Sequence, residues 1–564
     1  MSTGTPRSIS TQSTPHEIEA FIAANLAVNP GNLVQFNHPG SHHFQLVGDG
    51  DPTTVESLLD EQNAIRDRFF LNPPTTVYAS FPFCIPTNPG SCGFCLFPHV
   101  DASLEAMGEP KAHAFARYLR AVEREMEFQA PHLRLPLDVG AIYFGGGTPN
   151  LLNGEEAYGF VRTILGRFPP VEGVEVTFEG IPYLYKDREK MEALKEAGVN
   201  RVSIGAQVLK EELIRLSGRS TQTKKGVELA IQHARDLGLD HSVDLIYGWP
   251  TQTLEDLFND VAQLVVWGVL HMTVYPLNQV KEATAFSREP LLSQCASILE
   301  RLEMYRRVRD FLLANGYRQV TMSDFERDDG RSHYTYENTT HDALSDWWAV
   351  GYSGVHRRAG TWDHPGFSYL SPHDLKTYYA QLDQGRLPLR AYFRFTDCDV
   401  KLAYVLNQLQ EMRIRIHEYQ ELFGMDVREE YRNLWEALAK RGWVKTTDRE
   451  IRLVGDAVFY TAFIQRMITH ERDGELREKR SVVGYKAADR LASFHSAIQT
   501  GPEQVVFFAD GDLAPEAPKM PTHPVHVPLP HVSPMALHGP RTQFLRVLRA
   551  RMNRFAIHPL RIKI

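Results

Sequence analysis

Cysteine is scarce, at five in 564 residues. So few thiols in so long a chain exclude a disulfide scaffold. Charge of one sign is lacking too: 61 Lys and Arg stand against 69 Asp and Glu, a formal net charge of −8. Nothing in that balance draws the chain to nucleic acid or to an acidic membrane. Long apolar runs are absent. The most apolar stretch, Val261 to Leu277, is interrupted by Gln263, His271 and Thr273, so no membrane span is expected. Residues 1–16 are polar and rich in Ser, Thr and Pro, so no secretory leader is read there and the cytoplasm is the expected compartment. Between 17 and 75 the only Lys or Arg residues are Arg66 and Arg68.

What is present is a regular alternation. A length of 564 residues suggests two to four domains, and 43% hydrophobic content supplies an ordinary core. From Thr76 onward, β-rich apolar runs alternate with amphipathic ones. Strands are predicted at Thr76–Phe83, Val139–Phe144, Val174–Phe178, Arg201–Gly205, Ser242–Tyr247 and Met272–Leu277. Helices are predicted at His113–Phe128, Asp187–Ala197, Lys224–Leu237 and Leu254–Trp267, the last opened by a Thr253/Asp256 capping box. Six strands, each followed by a helix, mean an α/β fold whose parallel sheet closes into a partial or complete barrel.

Flanking segments divide the chain further. The expected division is an N-terminal segment (1–75), the barrel (76–316), an accessory segment (317–398), a winged-helix-like lid (399–470) and a C-terminal extension (471–564). Residues 317–390 are rich in Tyr, Trp, His and Gly and read as loop-heavy. Trp443–Val454 alternates like a β-wing. Eight prolines fall within 515–540, and a one-signed basic tail runs from Arg541 to Lys563. His523, His526, His531 and His538 in that tail read as solvated. With no basic excess overall, the winged-helix-like part is taken as a cover for substrate rather than a DNA reader.

Chemistry concentrates at a few strand ends. Cys84, Cys92 and Cys95 crowd into the loop after the first strand, where barrel active sites form. Three thiolates could hold an iron–sulfur cubane with one iron left open. They could also hold zinc with His99 as a fourth ligand, so the cysteines alone leave both readings standing. Cys295 and Cys398 stand apart and read as buried small hydrophobes. After the second strand comes Tyr143-Phe-Gly145-Gly146-Gly147-Thr148-Pro149, where consecutive glycines let a ligand approach the backbone. Glu179 ends the third strand, Gln207 follows the fourth, and Asp244 lies in the fifth. Each alone is as readily a solvated residue as a functional one. In strand order, they face one mouth. Tyr334, Tyr336, Trp347 and Trp348 read equally as a stacking wall for a flat substrate or as packing.

These motifs in order, Phe81-Pro-Phe-Cys84, Gly145-Gly-Gly-Thr-Pro149, Glu179, Asn200-Arg-Val-Ser-Ile-Gly-Ala-Gln207 and Asp244-Leu-Ile-Tyr-Gly-Trp-Pro-Thr-Gln-Thr253, resemble one known group. It is the set of radical S-adenosylmethionine enzymes around oxygen-independent coproporphyrinogen III oxidase, which includes class C methyltransferases, cyclopropanases and haem-handling members. The resemblance spans about Thr76 to Val355, with an echo to about Ile468. It implies a partial (β/α)6 radical-SAM barrel with a winged-helix-like domain and an extended tail. It assigns Cys84, Cys92 and Cys95 to a [4Fe–4S] cluster. One S-adenosylmethionine is expected against Tyr78, Gly146 and Glu179, and a second against Phe94, Gly147, Thr148, Gln207, Arg219 and Asp244. Tyr78, Glu179 and Asp244 are the candidate catalytic groups.

Three features depart from that group. Seven residues separate Cys84 from Cys92 instead of three, Ser80 stands where a His is usual, and few bases flank the site for a substrate with several propionates. The implied activity is reductive cleavage of S-adenosylmethionine to a 5′-deoxyadenosyl radical, with a flavodoxin- or ferredoxin-like electron donor and a small-molecule substrate. Methyl transfer or cyclopropanation on an unsaturated carbon ranks first. Oxidative decarboxylation or another porphyrin transformation, and a haem chaperone without turnover, are the alternatives. The chaperone reading is weakened because His333-Tyr-Thr-Tyr-Glu-Asn338 and Asp346-Trp-Trp348 depart from the His-Asn…Tyr-Trp signature of the haem-trafficking relatives.

Overall fold

The computed structural model describes residues 13–26, 43–47, 51–69, 73–87, 92–133, 137–219, 221–279, 283–340 and 345–483. The proline-rich segment, the basic tail and its histidines lie outside the described residues, as do positions 88–91 of the cysteine loop.

Six strands pair in parallel in chain order: Thr75–Phe81, Val139–Gly146, Glu175–Gly180, Arg201–Gln207, Asp240–Tyr247 and His271–Pro276. Each lies within a few residues of its expected place, because each is a short run of β-branched and aromatic residues bounded by turns. Their covering helices include Lys111–Gln129, Arg188–Ala197, Lys224–Asp236 and Leu254–Val266. Thr253 caps the last of these, and its hydroxyl accepts from the Asp256 amide while Asp256 returns the bond. Gly154–Arg167 forms a further helix that periodicity had not picked out; Asn153 and Glu156 close it with the same reciprocal cap.

The sheet does not stop at six. Asp346–Val350 adds a seventh parallel strand beside the first, in register from Asp346 opposite Thr75 to Val350 opposite Ala79. Beyond it run Val355–Arg358, Phe367–Leu370 and Ala391–Arg394, all antiparallel, ending on the two-residue strand Gln45–Leu46. At the opposite edge Asp324–Arg327 and Tyr317–Gln319 extend the sheet, which stays open. The loop-heavy expectation for 317–390 is therefore corrected. Its strands are short and carry charges that obscure an alternating pattern; Asp346 begins the seventh strand fully buried. Arg66 clamps it with two bonds of 2.6 and 2.7 Å, and Arg358 approaches its carboxylate at 2.7 Å. This double cation holds the Asp346 carboxyl below its ordinary range despite burial.

Residues 397–453 follow a winged-helix order. Helix Asp397–Gln410, strand Arg413–Arg415, helices Ile416–Phe423, Val427–Glu430 and Arg432–Lys440, then strands Val444–Thr446 and Glu450–Leu453 make a small sheet of three. The N-terminal helix Pro15–Asn25 packs on Arg432–Lys440, with Glu19 on Arg441 at 2.6 Å and Phe21 stacked on Phe463. Arg306, on the barrel helix Ile298–Ala314, binds Asp456 and ties this unit to the barrel. Among the described residues no helix is long and apolar enough to cross a membrane.

Candidate functional site

The first strand delivers its C-terminal residues to the mouth and then turns. Phe83–Cys84 makes a two-residue parallel pair with Val100–Asp101, so the cysteine loop between them is pinned at both ends. Within that loop the Cys95 amide bonds the Cys92 carbonyl at 2.9 Å, a tight turn that presents both sulfurs. Gly93 sits between them for a steric reason: a Cβ there would lie 2.5 Å from the Phe286 ring. Its amide and carbonyl bond Ser217 and Phe286, at 3.0 and 2.9 Å.

The three thiols share one electrostatic environment. Burial pushes Cys95 up to about 12, and the neighbouring Cys92 and Cys84 add to that. Cys84 is raised chiefly by burial, opposed by its 3.0 Å contact with Thr148 Oγ1. Arg219 is held above its ordinary value by the charge of all three sulfurs, against the cost of its burial. Among the described residues no three His, Cys, Asp or Glu side chains converge on a single ion position. His99 turns its Nδ1 to the Phe97 carbonyl at 2.8 Å. Three thiols in one loop, with His99 turned to the backbone, fit a [4Fe–4S] cluster that leaves one iron open. Cys295 is half-buried and packs in the small apolar cluster around Trp249, as expected, but Cys398 is exposed, because it opens the helix Asp397–Gln410. That corrects its reading as a core residue.

The glycines after the second strand form a floor beside this loop. The amides of Gly147 and Thr148 bond the Phe81 and Phe83 carbonyls at 2.7 and 2.8 Å. Gly146 has φ of +113° and Gly147 leaves 2.5 Å between a would-be Cβ and the Phe83 carbonyl oxygen, so neither accepts a side chain. At Gly145 the limit is different. A Cβ there would meet Tyr78 Oη at 2.6 Å, Glu179 Oε2 at 2.8 Å and Tyr143 Cε1 at 2.9 Å. Two polar groups from the first and third strands thus converge over one glycine.

Glu179 is pushed up to about 8 by burial and then by Asp244, with Arg219 opposing. Asp244 is likewise raised by burial, eased by the Ser203 hydroxyl donating at 2.9 Å. Gln207 takes a left-handed backbone, φ +67°, where the fourth strand slips register against the fifth. Arg219 reaches back from just beyond the short helix Glu211–Leu216 that follows this strand. Its Nε lies 3.3 Å from Cys92 Sγ, its Nη1 bonds the Gly205 carbonyl, and its Cζ lies 5.2 Å from the Phe94 ring centre. Phe94 in turn packs on the fully buried Trp249, 5.3 Å between rings. Contacts thus link Tyr78 and Glu179 over Gly145, Thr148 to Cys84, and Arg219 to Cys92 and Phe94, while Asp244 and Arg219 act on Glu179. Gly146, Gly147 and Gln207 stand at the ends of the same strands.

Sequence reasoning missed part of the lumen lining. Tyr143 stacks on Tyr78 at 5.9 Å and meets Tyr336 at 4.9 Å. Tyr275 is 46% exposed although it sits in the sixth strand. Strand periodicity carries the signal: Tyr143 lies two residues before Gly145 and Ser203 two before Gly205, hence on the same face. The aromatic quartet splits. Tyr334 covers Arg201 and His271, and Tyr336 joins Tyr143, both at the lumen. Trp347 and Trp348 are buried in the seventh strand, where their indole N–H groups bond Thr340 and Gln129. The substrate-wall reading of those two is corrected to packing.

Residues 85–264 match the family model of the radical SAM superfamily. Oxygen-independent coproporphyrinogen III oxidase of Pseudomonas aeruginosa is 25% identical over 408 residues, covering 69% of this chain and 84% of that one. The heme chaperone HemW of Escherichia coli is 26% identical over 260 residues, 45% of this chain and 63% of its own length. In fold, the chain is similar to the coproporphyrinogen III oxidase HemN of Escherichia coli, a radical SAM enzyme. The TM-score is 0.62 at 21% identity, over 76% of this chain and 96% of that one.

Proposed function

From its place among radical SAM enzymes, with their [4Fe–4S] cluster and S-adenosylmethionine, we propose that this chain transfers a one-carbon unit. The acceptor is an sp² carbon of a small molecule, the outcome is methylation or cyclopropanation, and the donor is a second S-adenosylmethionine. When bound, the reduced cluster supplies the electron that cleaves the first S-adenosylmethionine. Cys84, Cys92 and Cys95 would hold it. Tyr78, Glu179 and the floor at Gly145–Gly147 would orient the first cofactor, with Glu179 protonated near neutral pH and so able to donate as well as accept. Arg219 offers its remaining Nη2 to a carboxylate, Asp244 accepts from hydroxyls, and Phe94 gives an apolar face, the set expected of a second such molecule.

One observation supports this reading: Glu179, which converges with Tyr78 over Gly145, lies within electrostatic reach of Asp244 and of Arg219. Oxidative decarboxylation is the second reading, favoured by the named relatives. Against it, Arg66, one of two strong bases in residues 17–75, is bound to buried Asp346 and cannot meet a propionate. A haem-carrying role is disfavoured by His333, whose buried ring lies between Asp329 and Asp240, at 3.1 and 3.6 Å. The test is anaerobic reconstitution followed by incubation with S-adenosylmethionine deuterated at the methyl group. Deuterium is expected in 5′-deoxyadenosine, and Asp244→Ala should lose it while keeping iron. Unlabelled 5′-deoxyadenosine from the wild type would overturn the second-cofactor assignment.

A further inference from the structure

Two of the three thiols have side-chain partners that come from distant parts of the chain. Thr148, 64 residues on, places Oγ1 3.0 Å from Cys84 Sγ. Arg219, 127 residues on, points Nε at Cys92 Sγ from 3.3 Å. Neither contact is a chance of loose side chains. Thr148 is 1% exposed, and its amide is bonded to Phe83 at 2.8 Å. Arg219 is fixed from a second direction by the Gly205 carbonyl and covered by Phe94.

A sulfur that holds iron is a thiolate and can only accept, so both partners must then donate. Adding an electron to a cluster ligated by three thiolates raises negative charge in a place the protein has largely removed from water. Donors and cations at the ligating sulfurs stabilise that reduced form more than the oxidised one, which raises the reduction potential.

We propose that Thr148 and Arg219 set the redox potential of the cluster by donating hydrogen bonds to the sulfurs of Cys84 and Cys92. This rests on the cluster assignment made above. Both are positioning residues that act through the cysteines. Arg219 has donors enough for both roles, with Nε on sulfur, Nη1 on Gly205 and Nη2 left for a ligand.

The experiment is a potentiometric titration of the reconstituted full-length protein, followed by electron paramagnetic resonance, without S-adenosylmethionine. Thr148→Val removes only the hydroxyl and Thr148→Ser keeps it. Arg219→Gln removes the charge and leaves only a neutral amide donor at the reach of Nε. Thr148→Val and Arg219→Gln should each keep the wild-type iron and sulfide content while their midpoints move to more negative potential. Thr148→Ser should titrate with the wild type. A Thr148→Val protein with a full cluster and an unchanged midpoint would overturn the proposal, as would an equal shift in Thr148→Ser. Should Arg219→Gln fail to take up iron, the Val and Ser pair decides. A wild type that binds no cluster at all would remove the cluster assignment itself, a result distinct from unshifted midpoints.

Discussion

Gly145→Ala probes the convergence of Tyr78 and Glu179 with a single methyl group. The added carbon would stand 2.6, 2.8 and 2.9 Å from Tyr78 Oη, Glu179 Oε2 and Tyr143 Cε1, all too close. Each offending atom belongs to a side chain, so the backbone need not move and the chain should still fold. Overpacking of this kind costs about 1–3 kcal/mol. The relief available is rotation of Tyr78 and Glu179 into the mouth, where the proposed first cofactor would lie. Losing two hydrogen bonds of about 1 kcal/mol each weakens binding roughly thirtyfold. Isothermal titration of S-adenosylmethionine into the anaerobically reconstituted protein reads this directly, with iron content as the check on the cluster. Gly159→Ala is the control: in the helix Gly154–Arg167 its methyl meets nothing within 4 Å, so it should stabilise slightly and leave binding unchanged. Wild-type affinity and iron content in Gly145→Ala would show that the Tyr78–Glu179 convergence is not a ligand cradle.

Two further predictions concern buried charge. Glu125 is buried and pushed up to about 8, its carboxylate accepting from Gly351 and Tyr378 at 2.7 Å each. The native state therefore holds its proton more tightly than the unfolded chain, and stability falls as pH rises from about 4.5 to 8, by about 4–5 kcal/mol in all. Glu125→Gln mimics the protonated form, so its melting temperature should exceed that of the wild type increasingly from pH 5 to pH 9; a gap independent of pH would refute the assignment. Asp346→Asn leaves the Arg66 and Arg358 guanidiniums buried without their anion, at a cost of about 3–5 kcal/mol. Thermal unfolding should shift down by many degrees, and an unchanged midpoint would mean that the clamp does not hold the seventh strand.

How much of this was legible beforehand depends on how local each signal is. The six barrel strands and the Thr253 cap were readable because hydrophobic runs and capping residues act over a few positions. The seventh strand was hidden, since Asp346 looks polar until Arg66, 280 residues away, is known to neutralise it. Trp347 and Trp348 were ambiguous for the same reason: whether an aromatic packs or lines a site depends on which strand lies beside it. At the mouth, the cysteines and glycines were visible as motifs. The Arg219 contact with Cys92 was not, because it depends on a loop returning across the fourth strand.

The same long-range pairings narrow what the mouth can recognise. The lumen face carries Tyr78, Tyr143, Tyr334 and Tyr336 as half-buried rings, Tyr275 more exposed, and the carboxyls Glu179 and Asp244. Its two described cations, Arg201 and Arg219, are already engaged. Arg201 bonds the His333 carbonyl, Thr177 and His271, faces Glu175 at 3.6 Å and is covered by Tyr334. Arg219 bonds Cys92 and Gly205. A ligand with several carboxylates would thus meet acids and phenols, with Arg219 Nη2 already claimed by the proposed second cofactor. A flat, weakly charged molecule would instead stack on the tyrosine faces that the cofactors leave uncovered. Desolvating each extra anion against such a wall costs free energy that no uncommitted cation among the described lining residues returns. If the proposed one-carbon transfer holds, this described lining suits an unsaturated, weakly charged acceptor.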